Sequence, residues 1–89
     1  MPRVVFSSHI TRHVPVPDCD VSASTLREAL EAAFAHCAAS RPYVLDEQGH
    51  LRKHVVIFVD GARVRERETL SDPVATVREI HVLQALTGG

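Results

Sequence analysis

HVVIFVDGARV (residues 54–64) decides how this chain folds. Val55, Val56, Ile57, Phe58 and Val59 form an unbroken β-branched and aromatic run. Such a run suits a strand inside a sheet rather than one at its edge. Asp60-Gly61 follows at once, and it is a two-residue hairpin signal because a type I′ turn needs positive φ at both central positions. The strand therefore doubles back, with Val64 on a short returning strand. Downstream, LSDPV (residues 70–74) reads as a turn-rich connector. REIHVLQAL (residues 78–86) reads as the last strand, with Ile80 and Val82 on one face and His81 and Leu83 on the other.

Upstream, LDEQGHLRK (residues 45–53) is polar around Gly49 and reads as a turn. STLREALEAAFAHCAASRP (residues 24–42) carries the helical period. Leu26, Ala29, Leu30, Ala33, Phe34 and Cys37 fall on one apolar stripe. Thr25 and Glu28 have the spacing of a capping box. Pro42 cannot continue the helix, so the helix is expected to end near Ala39 or Ser40. Residues 3–11 are rich in Val, Phe, Ile, Ser and Thr and read as a first strand. HVPVPDCDV (residues 13–21) alternates as a second strand, and Pro15 and Pro17 confine it to a sheet edge. These two strands would form a hairpin turning near Arg12.

The expected order is β-β-α-β-β-β, an α+β chain with a mixed sheet of about five strands wrapped on one main helix. A single amphipathic helix covers one face of such a sheet. The other face must meet solvent or a partner.

The composition narrows the function. At 89 residues the chain is sized for one domain, and its 45% apolar content is enough for one two-layer core. Net charge is −1, with both signs interspersed, which argues against nucleic acid as the main partner. ARVRERE (residues 62–68) interleaves Arg with Glu and reads as solvated surface. No apolar run approaches membrane-spanning length, and the first residues do not form a secretory signal, so no membrane partner is expected and the cytoplasm is the expected location.

Six His are present, but no pair sits at i, i+4 on the expected helix and there is no Cys-x-x-Cys or His-Glu-x-x-His, so they read as scattered surface residues and no metal site is expected. Cys19 and Cys37 make no redox or zinc motif; Cys37 reads as a buried thiol on the helix stripe, and a cytosolic disulfide between the two is not expected. No nucleophile–base–acid set, phosphate-cradling Gly loop or paired carboxylates stand out. No intrinsic catalysis and no bound cofactor are therefore expected.

The order of elements together with the Gly88-Gly89 end resembles the ubiquitin-like β-grasp fold, and more closely the MoaD/ThiS sulfur-carrier family. RVVFSSHITR is similar to that family's first strand, and STLREALEAAF to its helix. LDEQGHLRKHVVIFVDGARV resembles its Asp-x-x-Gly turn followed by its hairpin, here Phe58 to Gly61. LSDPV is similar to a connector of Thr-Pro-Leu type, and ALTGG resembles the tail. The length is nearer the branch that forms the small subunit of molybdopterin synthase. TVREI (residues 76–80) departs from the family's Asp-Gly-Asp-Glu-Val, and Gln84 and Ala85 stand where a Pro is common.

The resemblance implies a β-grasp body over residues 1–86 and a flexible tail over residues 87–89. It implies that a partner enzyme adenylates the Gly89 carboxylate with ATP. A persulfide or sulfide source then displaces AMP to leave a thiocarboxylate, which serves an acceptor synthase. Glycines suit such a tail, because without a Cβ the backbone can thread a narrow site in conformations closed to other residues. Thr87 and Gly88 would carry the reactive end, while Leu83, Gln84, Ala85 and Leu86 are the candidate partner-binding residues. Two other roles fit the same end: a protein modifier joined to lysine through Gly89, and an interaction module whose tail is passive.

Overall fold

The computed structural model describes residues 2–84. The expectations for Ala85, Leu86, Thr87, Gly88 and Gly89 lie outside the described residues. Five strands form one sheet: β1 (Arg3–Phe6), β2 (Cys19–Asp20), β3 (Val55–Val59), β4 (Ala62–Arg63) and β5 (Glu79–Gln84). Their spatial order is β2-β1-β5-β3-β4. β5 is the central strand, parallel to β1 and antiparallel to β3. The α-helices are α1 (Ser8–Thr11), α2 (Leu26–Phe34) and α3 (Arg41–Val44), with a 3₁₀ turn at Ala38–Ser40 before α3.

The hairpin signal is realised as expected. Asp60 has φ 49° and Gly61 φ 85°, and Phe58 and Val59 pair with Arg63 and Ala62. Val64 follows β4; it is buried and donates its N–H to the Ile57 carbonyl at 2.9 Å. β3 lies between β5 and β4, inside the sheet.

The capping box of α2 is complete. The Glu28 N–H donates to Thr25 Oγ1, and Glu28 Oε1 accepts from the backbone N–H groups of Ser24 and Thr25. The next two N–H groups, of Leu26 and Arg27, donate to the carbonyls of Asp72 and Leu70. The 70–74 connector thus satisfies donors that a helix start leaves without partners.

α2 lays Leu26, Ala29, Leu30, Ala33 and Phe34 on the sheet face made by Val4, Phe6, Val55, Ile57, Ile80 and Val82, and all of these are buried. Phe6 and Phe34 meet with ring centroids 6.4 Å apart at a tilt of 43°. Each fully buried Leu, Ile or Phe contributes about 1.5–3 kcal/mol of burial, which is large beside the ~5–15 kcal/mol net stability of a domain.

Three local expectations are corrected. The first strand ends at Phe6, not near Thr11. The Ser7 N–H closes its ladder on the Val82 carbonyl, and residues 8–11 then wind into α1 so that Ile10 enters the core. The second strand shrinks to Cys19–Asp20, and no tight hairpin turns at Arg12. Pro15 and Pro17 have no N–H to give a ladder. Val14 and Val16 are nonetheless buried, as core plugs on an irregular segment. The helix stops at Phe34 rather than near Ser40, and its last turn tightens as the His36 and Cys37 N–H groups bond to Ala33 and Phe34. Pro42 does not end a helix. It sits in the first turn of α3, where a missing N–H costs nothing.

Candidate functional site

α2 covers one face of the sheet, and the strand alternation places a second apolar set on the other. Register puts Leu83 of β5 opposite Val56 of β3, and His81 opposite Phe58. Across the parallel pair, His81 also lies opposite Val5 of β1. All five side chains are half-buried, while their sequence neighbours Val4, Val55, Ile57, Ile80 and Val82 point into the core. The result is a contiguous patch of Val5, Val56, Phe58, His81 and Leu83 spread over three strands. Cross-strand pairs of this kind shield one another, yet they leave apolar surface for a partner to cover.

Charged residues rim the patch. His81 Nε2 lies 2.9 Å from Glu79 Oε1 on the same strand. Arg3 Nε is 3.3 Å from Asp20 Oδ1 at the β1–β2 edge. Both carboxylate oxygens of Asp60 accept from the Arg78 N–H, and one also accepts the Glu79 N–H at 2.9 Å. These backbone donors stabilise the carboxylate and hold the Asp60 pKa below its ordinary value, the Glu79 N–H having the larger effect and the Arg78 N–H the next. Asp60 therefore does two things: it accommodates the positive φ of the hairpin and clamps that hairpin to the start of β5.

Leu83 and Gln84 thus lie at the far end of the central strand, Leu83 in the open patch. Gly88, Gly89, Thr87, Ala85 and Leu86 lie outside the described residues. Sequence reasoning singled out Leu83 and missed Val5, Val56 and Phe58. The unbroken run at residues 55–59 concealed two sets with opposite destinations. A signal was present: with one helix to cover one face, alternate members of such a run must face away from it.

Asp46, Glu31 and Arg41 serve structure. Asp46 accepts the backbone N–H groups of Gln48 and His50, and its carboxyl is lowered chiefly by the bond from His50. The Arg41 guanidinium, paired with Glu31 at 3.0 Å, lowers the Glu31 carboxyl. Cys19 and Cys37 are both free thiols. Cys37 is half-buried beyond the end of α2, packed against the core rather than inside it as the helix stripe implied. Burial first, then the charges of Asp20 and Asp18, raise the Cys19 thiol, which disfavours the thiolate a nucleophile needs. Among the described residues no three His, Cys, Asp or Glu side chains gather into a metal-competent cluster. His13 stacks on Tyr43, with ring centroids 5.9 Å apart.

No protein-family model matches the chain, and no curated protein matches it. Solved structures do. SAMP1 of Haloferax volcanii superposes with TM-score 0.77 at 19% identity, over 98% of this chain and 97% of that one. The chain has the ubiquitin-like β-grasp fold. The CysO chain of the Amycolatopsis orientalis BexX/CysO complex gives TM-score 0.77 at 17% identity, over the whole of both chains. The small archaeal modifier protein 1 of Methanosarcina acetivorans gives 0.71 at 20%, over 98% and 94%. The ubiquitin-like β-grasp fold that the resemblance implied is therefore the fold found. Within it, β5 runs through the middle of the sheet, lends His81 and Leu83 to the open patch, and leads into residues 85–89. Among the described residues no helix is long and apolar enough to cross a membrane.

Proposed function

We propose that this protein is a sulfur carrier of MoaD/ThiS type, acting in the cytoplasm as the substrate of other enzymes and not as a catalyst. One observation carries the reading: a single strand, β5, links the open apolar patch to the segment that ends in Gly88 and Gly89. A partner seated on Val56, Phe58 and Leu83 would have that segment beside it. An ATP-dependent adenylating enzyme activates the Gly89 carboxylate. A terminal carboxylate is a poor acyl donor, and adenylation supplies a good leaving group. Sulfide attacks the carbonyl carbon and AMP departs, leaving a C-terminal thiocarboxylate; a persulfide attacking in its place gives an acyl disulfide, which a thiol then cleaves reductively to release the thiocarboxylate. An acceptor synthase takes the sulfur, with molybdopterin synthesis the first pathway to test. The protein itself binds no cofactor in this scheme.

A second reading has its own support. Two of the structures it resembles are named as archaeal modifier proteins, so Gly89 would form isopeptide bonds with lysines of target proteins. Supplying the activating enzyme and ATP separates the two: a carrier yields a sulfur-bearing small molecule, and a modifier yields conjugates of higher mass on a gel. Deleting Gly88 and Gly89 should abolish either outcome. Full function after that deletion would leave only a passive interaction module.

A further inference from the structure

The chain contains one lysine, Lys53; the other nine of its ten Lys and Arg residues are Arg. A guanidinium stays protonated in proteins and does not accept acyl groups, whereas a deprotonated ε-amine does. The fold gives that amine a particular place. Val55 pairs with Gln84, so the start of β3 and the end of β5 share one end of the sheet. The Val55 N–H closes a turn on the Arg52 carbonyl at 3.0 Å, with Lys53 at the turn's first central position. Lys53 is exposed, and among the described residues no carboxylate lies within ion-pair distance of it. It borders a shallow depression that it shares with His50, His54, Arg52, Arg67 and the carboxylates of Asp46 and Glu68.

The distances close. Paired strand residues lie about 5 Å apart at Cα, and two further residues add up to about 7 Å, which puts Lys53 within about 12 Å of Gln84. Residues 85–89 span up to about 17 Å when extended. The carbonyl carbon of Gly89 can therefore reach Nζ of Lys53 in the same molecule.

We propose that Lys53 is an intramolecular acceptor for the chain's own activated C-terminal acyl group, closing a lactam that takes the carrier out of use. The inference rests on the reading of Gly89 as an acyl-bearing residue. Unprotonated Nζ attacks the Gly89 carbonyl carbon. The N–C bond forms, the bond from that carbon to the leaving group breaks, and the amine proton passes to solvent. The leaving group is AMP from an adenylate or a thiol from a thioester, and no oxidant or reductant is required. Tethering gives the amine a high effective concentration. Sulfur transfer must therefore outrun closure, or the partner must cover Lys53.

The test needs no partner enzyme. The full chain is prepared with a C-terminal thioester at Gly89 by intein cleavage and incubated, folded, at mildly alkaline pH. The expected product is monomeric and has lost the thiol. Trypsin should release a branched peptide joining residues 53–63 to residues 79–89. Lys53→Arg should keep its thioester at least about tenfold longer, because the tethered nucleophile is gone. Urea should slow closure in the native chain by loosening the β3–β5 pairing. Hydrolysis at equal rates in both proteins would overturn the proposal, as would closure onto the α-amine of Met1 or a covalent dimer. Each of those results leaves the carrier reading standing, since that reading is tested separately with the activating enzyme.

Discussion

Leu83→Glu tests the open patch. Leu83 is half-buried and lies opposite Val56, so its replacement forfeits one cross-strand apolar pair worth about 0.2–1 kcal/mol. At about 4–8 °C per kcal/mol for a domain of this size, the melting temperature should fall by no more than about 8 °C. Docking should suffer far more. Covering a Leu side chain at an interface is worth about 1.5–3 kcal/mol, and about 1.4 kcal/mol is a tenfold change in affinity. Losing that contact alone weakens binding about 10- to 100-fold, and the introduced carboxylate, desolvated without a partner, weakens it further. The assay is ATP–pyrophosphate exchange by the activating enzyme at varied carrier concentration, beside a thermal melt. KM should rise at least about tenfold while the protein melts cooperatively near the native temperature. An unchanged KM would refute the placement of the docking surface, and a variant that does not fold would refute the assignment of Leu83 to the open face.

Three other outcomes follow from the body of the protein. Leu30→Ala removes a side chain buried at 0% exposure between α2 and the sheet and should cost about 2–5 kcal/mol, read by urea denaturation. Arg27 donates to the carbonyls of Gly49 at 2.7 Å, Glu68 at 3.0 Å and Thr69 at 3.1 Å, pinning two loops to α2. Arg27→Ala should raise amide exchange at residues 47–50 and 66–70 before it affects β3 or β5. Asp46 and Asp60 have folded pKa values below the ordinary 3.8, so their contribution is fully present above that value and fades as pH falls through the lower folded values. Native stability should therefore drop below about pH 4, and Asp60→Asn should flatten that part of the profile.

Where one local rule acts alone, the sequence was legible. Asp60-Gly61 required its turn, and Thr25 with Glu28 capped α2 as their spacing demanded. The alternation of Ile80 and Val82 against His81 and Leu83 survives unchanged in β5. Legibility failed where tertiary packing outweighed local preference. Residues 8–11 have β-forming composition, yet burying Ile10 bends them into a helical turn. Leu70 takes φ 55°, an uncommon conformation for a side chain of its size, and its carbonyl accepts the Arg27 N–H while its side chain is fully buried. No propensity scale predicts that residue in that state. The open patch was half legible for a related reason: Leu83 stands on a strand with visible alternation, while Val56 and Phe58 stand in a run with none. Only the pairing register, a nonlocal property, brings the three together.

The carrier role stands or falls on the terminal carboxyl group. Intact-mass spectrometry after incubation with the activating enzyme, ATP and a sulfur source measures it directly. The account predicts exchange of one oxygen for sulfur, located to Gly89 in the peptide spanning residues 79–89. An unchanged mass, under conditions where the enzyme consumes ATP on this chain, would contradict it.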